Sequence, residues 1–332
     1  MTHVKNNLTP LAIKDFAKKI ISDGHLYLRA SESRNFYVMK PGVFIDPAFI
    51  KKHAAIQTVF SYEQVISPPI LFRFQQLFKE WKYLQFEKDF RLKSLEIVQT
   101  FKECHSNEEH FLTFAIACFS EFNSVPHDQL LKLHEADLHL FQKALYSAAF
   151  SVIIALCSDY HHYPMVKDFF NLTFTLDLGL CSSNYTYFVA EGCNHENQNP
   201  GKGKEFMQKL GASEPEIQVF LNHPQYSYEF VKNTPGILTH VELAEVILYQ
   251  HELSDGSGFP RGIRKDRVSN WEAVVLLADS MVEIQHEHAF ERDVLRFISK
   301  FDNPKLGLLP VKRVFDKYKR SLGLIQVKEA AG

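Results

Sequence analysis

Four polar residues stand where the surrounding sequence is apolar: Asp177, His223, His251 and Asp279. Asp177 lies inside Leu172-Thr173-Phe174-Thr175-Leu176-Asp177-Leu178, and Asp279 follows Val274-Val275-Leu276-Leu277-Ala278. A carboxylate in such a run costs free energy unless a cation, a metal or several donors meet it. His223 ends a helix that presents Ile217, Phe220 and Leu221, and His251 continues the stripe of Ala244, Ile247 and Leu248. Taken singly, each has an ordinary explanation. A histidine on an apolar face is commonly a hydrogen-bonded core residue, and Asp177 can cap or bridge helices. Together, two carboxylates and two imidazoles on four helices form the donor set that divalent iron, manganese or zinc takes in a helix bundle. Spacing alone leaves both readings open.

The run Gln250-His251-Glu252-Leu253-Ser254-Asp255-Gly256-Ser257-Gly258-Phe259-Pro260 is more specific. By itself it is a glycine-rich turn whose N–H groups, from Gly256 to Gly258, can meet an anion or merely shape the chain. It closely resembles the HHE-x-x-DGSGYP signature of HD-GYP domains, with Gln for the first His and Phe for the Tyr. His223-Pro224 resembles the His-Pro of that family, and Leu276-Leu277-Ala278-Asp279 resembles its Val-Ala-Asp segment. Thr175-Leu176-Asp177-Leu178-Gly179-Leu180 aligns with its Leu-His-Asp-Ile-Gly-Lys. The resemblance covers about residues 138–281, and the 36–62 stretch is a weaker likeness to the small N-terminal domain of some members. The segment from Asp177 to His223 is longer than in the family, which places an insertion near His195.

In active members of that family a helix bundle holds two or three metal ions, usually iron or manganese. They activate water against a phosphodiester of cyclic-di-GMP. The resemblance implies that Asp177, His223 and His251 surround one metal and that Asp279 belongs mainly to another. It places Gly256, Ser257, Gly258, Phe259 and Pro260 on the substrate side. This chain departs from the pattern at several points. Leu176 stands for the His before the Asp, Gln250 for the first His of the pair, and the 144–149 stretch has no His in register. Leu180 replaces a lysine, Ala273 replaces an arginine, and Phe259 lacks the tyrosine hydroxyl. Losing cations and ligands together removes stabilisation of transition-state charge. The resemblance with its departures therefore implies a degenerate HD-GYP-like protein of cyclic-di-GMP signalling, catalytically inactive, binding a nucleotide or a protein as a regulatory module. The alternative is a metal-dependent cyclic-di-GMP phosphodiesterase with an altered, mononuclear site. The implied cofactor is iron or manganese at a reduced site, or none. The implied partners are cyclic-di-GMP or a related cyclic dinucleotide, a protein, and a second copy in a homodimer.

The elements that must position these groups can be read from periodicity. The expected fold is mainly α: a C-terminal all-helical HD-type bundle (136–332), a helical connector (66–135) and a small α+β N-terminal domain (1–65). Thr9-Pro10 opens a helix with Ile13, Phe16, Ala17, Ile20 and Ile21 on one face, stopped by Gly24. Strands are expected at Leu26 and Leu28, at 36–39 and at 58–60, with a helix after Asp46-Pro47. Pro68-Pro69 begins the connector, helical to about His105, then from 111 to 122 and again after Pro126. Apolar helices follow at 145–157 and 165–180, then a polar loop at 192–204 holding Cys193 and His195. Ser213 with Glu216, and Thr239 with Glu242, read as capping boxes. His161, His162, His286 and His288 lie in polar surroundings and are expected to face solvent.

Composition sets outer bounds. A net charge of −2 gives no basic field for nucleic acid. Cys104, Cys118, Cys157, Cys181 and Cys193 form no CxxC pair, which favours thiols in a reducing cytoplasm. No signal-peptide core follows Lys5, and the apolar stretch 144–157 is too short to span a bilayer. The 29 Phe are many for 332 residues and call for well-filled helical cores.

Overall fold

In the N-terminal unit, alternation of apolar residues builds an antiparallel sheet with strand order β1-β4-β2-β3. Its strands are Thr9–Leu11 (β1), Gly24–Arg29 (β2), Asn35–Met39 (β3) and Phe60–Gln64 (β4). The structure is a computed structural model that describes residues 8–16, 19–29, 35–55, 60–104, 108–181, 186–253, 255–264, 268–285 and 309–324. Helices Ile13–Phe16 (α1) and Pro47–Ala55 (α2) share a small core with the sheet, formed by Ile13, Phe16, Leu26, Met39, Val43, Ile45, Phe60 and Tyr62. The expected opening helix is corrected here. Thr9 and Pro10 pair with Tyr62 and Ser61 as an edge strand, α1 is only four residues long, and Ile20 is exposed. Thr9 Oγ1 also donates to the Tyr62 carbonyl at 3.1 Å. The edge of β4 offers backbone partners that a short local helix cannot match, and an edge strand tolerates proline.

The rest of the described chain is helical. Pro68–Lys82 (α3), Glu87–Cys104 (α4), Glu108–Phe122 (α5) and His127–Ala136 (α6) precede Leu138–Cys157 (α7) and Tyr163–Phe174 (α8). A 3₁₀ turn at Leu178–Leu180 leads to Tyr187–Gln198 (α9), Gly203–Leu210 (α10) and Glu214–Asn233 (α11). A second 3₁₀ turn, Val241–Ala244, runs into Glu245–Leu248 (α12), and Asn270–Gln285 (α13) and Leu309–Leu322 (α14) complete the described helices. The expected continuous pattern up to about His105 is thus two helices, with Tyr83 and Phe86 exposed at the break.

α7 is the axis of the bundle. It packs against α4, α5, α6, α8, α13 and α14. Ala148, Ala149, Phe150, Val152, Ile153, Ile154 and Ala155 have no solvent exposure. From His139 to Cys157 the helix is apolar and long enough to cross a membrane, yet 94% of that stretch is buried within the protein. One core joins the connector helices to the later bundle, with Phe111 of α5 stacked on Phe150 of α7 at 4.4 Å between ring centroids.

Two local expectations are corrected. The 192–204 region is the end of α9 and the start of α10. Glu196 is 1% exposed and accepts the N–H groups of Gly201 and Gly203 at 2.6 and 2.8 Å, closing the turn between these helices. Thr239 and Glu242 form no capping box. The Thr239 N–H instead donates to Asp168 at 2.7 Å. Ser213 and Glu216 do form one, at the start of α11. His286, His288 and Ser254 lie outside the described residues.

Candidate metal centre

His223 lies inside α11, which runs on through Pro224 rather than ending there. Proline has no N–H, so Pro224 cannot donate to the carbonyl four residues back, that of Phe220. His223 Nδ1 fills that vacancy at 2.6 Å. A carbonyl only accepts, so Nδ1 carries the proton and Nε2 presents its lone pair to the interior. Burial pushes the His223 imidazolium down to about 4 despite the opposing pull of Asp177. The ring is therefore a neutral donor at physiological pH.

Asp177 sits in the turn between α8 and the 3₁₀ segment. Ser227 on α11 fixes that turn: its hydroxyl donates to the Leu176 carbonyl at 2.8 Å and accepts the Gly179 N–H at 2.8 Å. A Cβ at position 179 would come within 2.1 Å of the His223 carbonyl oxygen, so only glycine lets the turn lie this close to α11.

His251 lies three residues past α12, in a turn rather than on the helix. It is buried, as its apolar neighbours imply. Its ring stacks on Phe259 at 4.5 Å and 14°, and the Phe259 N–H donates to the His251 carbonyl at 3.1 Å. A Cβ on Gly258 would meet the same carbonyl at 2.2 Å. Glu252 is 4% exposed and accepts the N–H groups of Arg261 and Ile263 at 2.8 and 2.9 Å. Gly256 N–H donates to Leu253 and Ser257 N–H to Asp255. Several amides of this loop are thus committed internally, and an anion would compete with those bonds. Phe259 faces inward, while Gly256, Ser257, Gly258 and Pro260 are partly or fully exposed.

Asp177, His223 and His251 converge, with one donor atom from each lying within 4.8 Å of the others. The two histidine Nε2 atoms are 3.1 Å apart, and His223 Nε2 is 3.6 Å from Asp177 Oδ1. Two bonds of about 2.0–2.1 Å from one ion, at roughly a right angle, separate two nitrogens by about 3 Å. One divalent ion fits this two-histidine, one-carboxylate set. Asp279 joins differently. Lys143 of α7 places its Nζ 2.8 Å from Asp177 Oδ2 and 3.4 Å from Asp279 Oδ1. Lys143, Asp177 and Asp279 keep only 16%, 12% and 10% of their side chains exposed.

Sequence reading missed Lys143, which sits one residue before the 144–149 stretch searched for a histidine. Its signal was a lone cation in the apolar run of α7. Asp168 was missed as well. Fully buried on α8, it accepts His240 N–H at 2.9 Å and pairs with His240 Nδ1 at 2.6 Å. Gln250 and Leu176, two of the departures, touch: the Gln250 amide donates to the Leu176 carbonyl at 3.2 Å. Leu180 and Ala273 are core residues, 1% and 0% exposed. His195 stacks on Phe206 at 4.1 Å, and His161 is partly buried rather than solvent-facing. A groove of about 1180 Å³ is lined by Lys88, Arg91, His161, His162 and His240 among others, and none of the four expected ligands lines it.

No protein-family profile and no curated protein matches the chain. It is similar to a solved structure, Bd1817, an HDG"Y"P protein from Bdellovibrio bacteriovorus, at 13% identity and a TM-score of 0.38. That similarity covers 95% of this chain and 99% of the other.

Proposed function

We propose that this chain is a degenerate HD-GYP-like protein of cyclic-di-GMP signalling, which binds a cyclic dinucleotide or a protein partner and does not hydrolyse phosphodiesters. The reading rests on the motif resemblance between 175 and 281. Its carrying observation is the contact between Leu176 and Gln250. Where the family resemblance expects two imidazoles, this chain has a buried apolar side chain and an amide bonded to backbone. The expected lysine and arginine are Leu180 and Ala273, both closed into the core, so these positions offer no cation to a phosphate.

Asp177, His223 and His251 would hold one iron or manganese ion, which when bound supplies Lewis acidity and water activation. The protein's own part is to keep the His223 ring neutral and oriented through Phe220, and to brace His251 on Phe259. In this reading residues 1–65 form an input domain, 66–135 a connector and 136–332 the HD-GYP-like domain. The test is incubation of metal-loaded protein, prepared without air, with cyclic-di-GMP. The expected result is micromolar binding by calorimetry and no turnover. Hydrolysis that disappears in His251→Ala overturns the proposal. A second reading, a mononuclear phosphodiesterase, is favoured by the converging Nε2 atoms. It predicts turnover proportional to bound metal.

A further inference from the structure

The strongest unexplained feature of this centre is its lysine. Lys143 projects from the most apolar of the described helices, and its ammonium lies between two carboxylates that belong to different segments. Asp177 follows α8 and Asp279 belongs to α13. Neither carboxylate is well solvated, and a cation placed between two such groups offsets the cost of burying their charge. The ammonium supplies that cation from within the chain.

We propose that the ammonium of Lys143 stands in for a second metal ion, so that this centre accepts one divalent ion fewer than its carboxylates would otherwise hold. The inference rests on the metal-site reading above and concerns only the number of ions. Asp177 presents two oxygens in different directions. Oδ1 faces His223 and Oδ2 faces Lys143. A divalent ion on the Oδ1 side meets the two imidazoles and leaves the lysine undisturbed. On the Oδ2 side, an ion bridging to Asp279 would need the space and the charge that Nζ already takes. The ammonium already offsets part of the charge of the two carboxylates, and a single divalent ion beside the imidazoles more than offsets the rest. Another divalent ion would add to an existing excess of positive charge in a site with little water to screen it. Replacing the lysine by a neutral side chain removes both obstacles.

The experiment compares full-length wild type with Lys143→Met and Lys143→Arg, stripped with chelator and titrated with Mn2+ without air. Calorimetry and elemental analysis give the stoichiometry, and electron paramagnetic resonance separates isolated from exchange-coupled Mn2+. Lys143→Met is expected to bind one equivalent more than wild type, while Lys143→Arg matches wild type. If wild type binds one ion, the Met variant also acquires a coupled spectrum. A folded Lys143→Met with no added equivalent, or a wild type that already shows a coupled pair, overturns the proposal. Should Lys143→Met not fold, Lys143→His, which keeps a polar group against both carboxylates, carries the same test with the same outcomes. Failure here is distinct from failure of the functional reading. The number of ions gained between variant and wild type decides this inference, whereas hydrolysis by wild type decides the other.

Discussion

Lys143 is also a residue whose loss should be felt in stability, because it answers two buried carboxylates. Removing one member of a buried ion pair leaves the others uncompensated and typically costs about 3–5 kcal/mol. Lys143→Ala is therefore expected to lower unfolding free energy by about 3 kcal/mol in the presence of chelator, measured by urea denaturation. Added Mn2+ should restore part of it, and a loss below about 1 kcal/mol would mean that the carboxylates rely on water instead. The cysteines give a second residue-scale test. Burial pushes the Cys157 and Cys181 thiols up to about 12, and Cys118 well above its usual range. A thiol with that pKa is almost wholly protonated at pH 8 and a poor nucleophile. These three should resist iodoacetamide in folded protein and react in urea, as mass spectrometry can establish. Rapid labelling of Cys157 in the native state would contradict the packing around it. Among these residues the carboxylates and imidazoles were legible, because a polar residue in an apolar run is conspicuous. Lys143 was equally conspicuous by that rule. The family resemblance directs attention instead to a histidine on the following turn of the same helix.

At the scale of elements, α11 shows how one proline sets a ligand. Pro224 leaves the Phe220 carbonyl open, and the His223 ring takes it. Pro224→Ala would restore the backbone N–H and improve helix propensity by up to about 3 kcal/mol. It would also compete with the imidazole for that carbonyl. The expected outcome is an unchanged or higher Tm with metal affinity reduced roughly 10–100-fold, the usual effect of losing such a supporting bond. Unchanged affinity would show that the ring is oriented by other contacts. The loop after His251 is held in a comparable way by Glu252, whose carboxylate collects two N–H groups. Glu252→Ala should cost about 3 kcal/mol and speed amide exchange at Arg261 and Ile263, with little change at residues in α7. The run of residues from His251 to Pro260 identified this loop in advance. That Phe259 would turn inward against His251, rather than outward toward a ligand, depended on Phe220 and α11 and had no local signature.

Across the whole molecule, α7 ties the connector helices to the later bundle through one core. Phe111 on α5 and Phe150 on α7 are among its joints. Phe111→Ala is expected to destabilise the helical body by about 3–5 kcal/mol while calorimetry still shows it melting in one transition. Two separable transitions within the helical part would show that the connector folds independently. The sequence by itself determined the mainly helical class, three of the four strands of the N-terminal sheet and the polar residues that an apolar core must neutralise. Those follow from period, from turn residues and from the cost of burying charge, all local properties. Tertiary structure decided the rest. It drew Thr9 and Pro10 into a strand, because the free edge of β4 offered backbone partners. It made helices α9 and α10 of an expected loop, because Glu196 and the surface of α11 supplied their partners. It also answered the charges of Asp177 and Asp279 with a lysine from a third element. A sequence states that a buried carboxylate needs a cation, but which cation comes depends on segments 34 and 136 residues away.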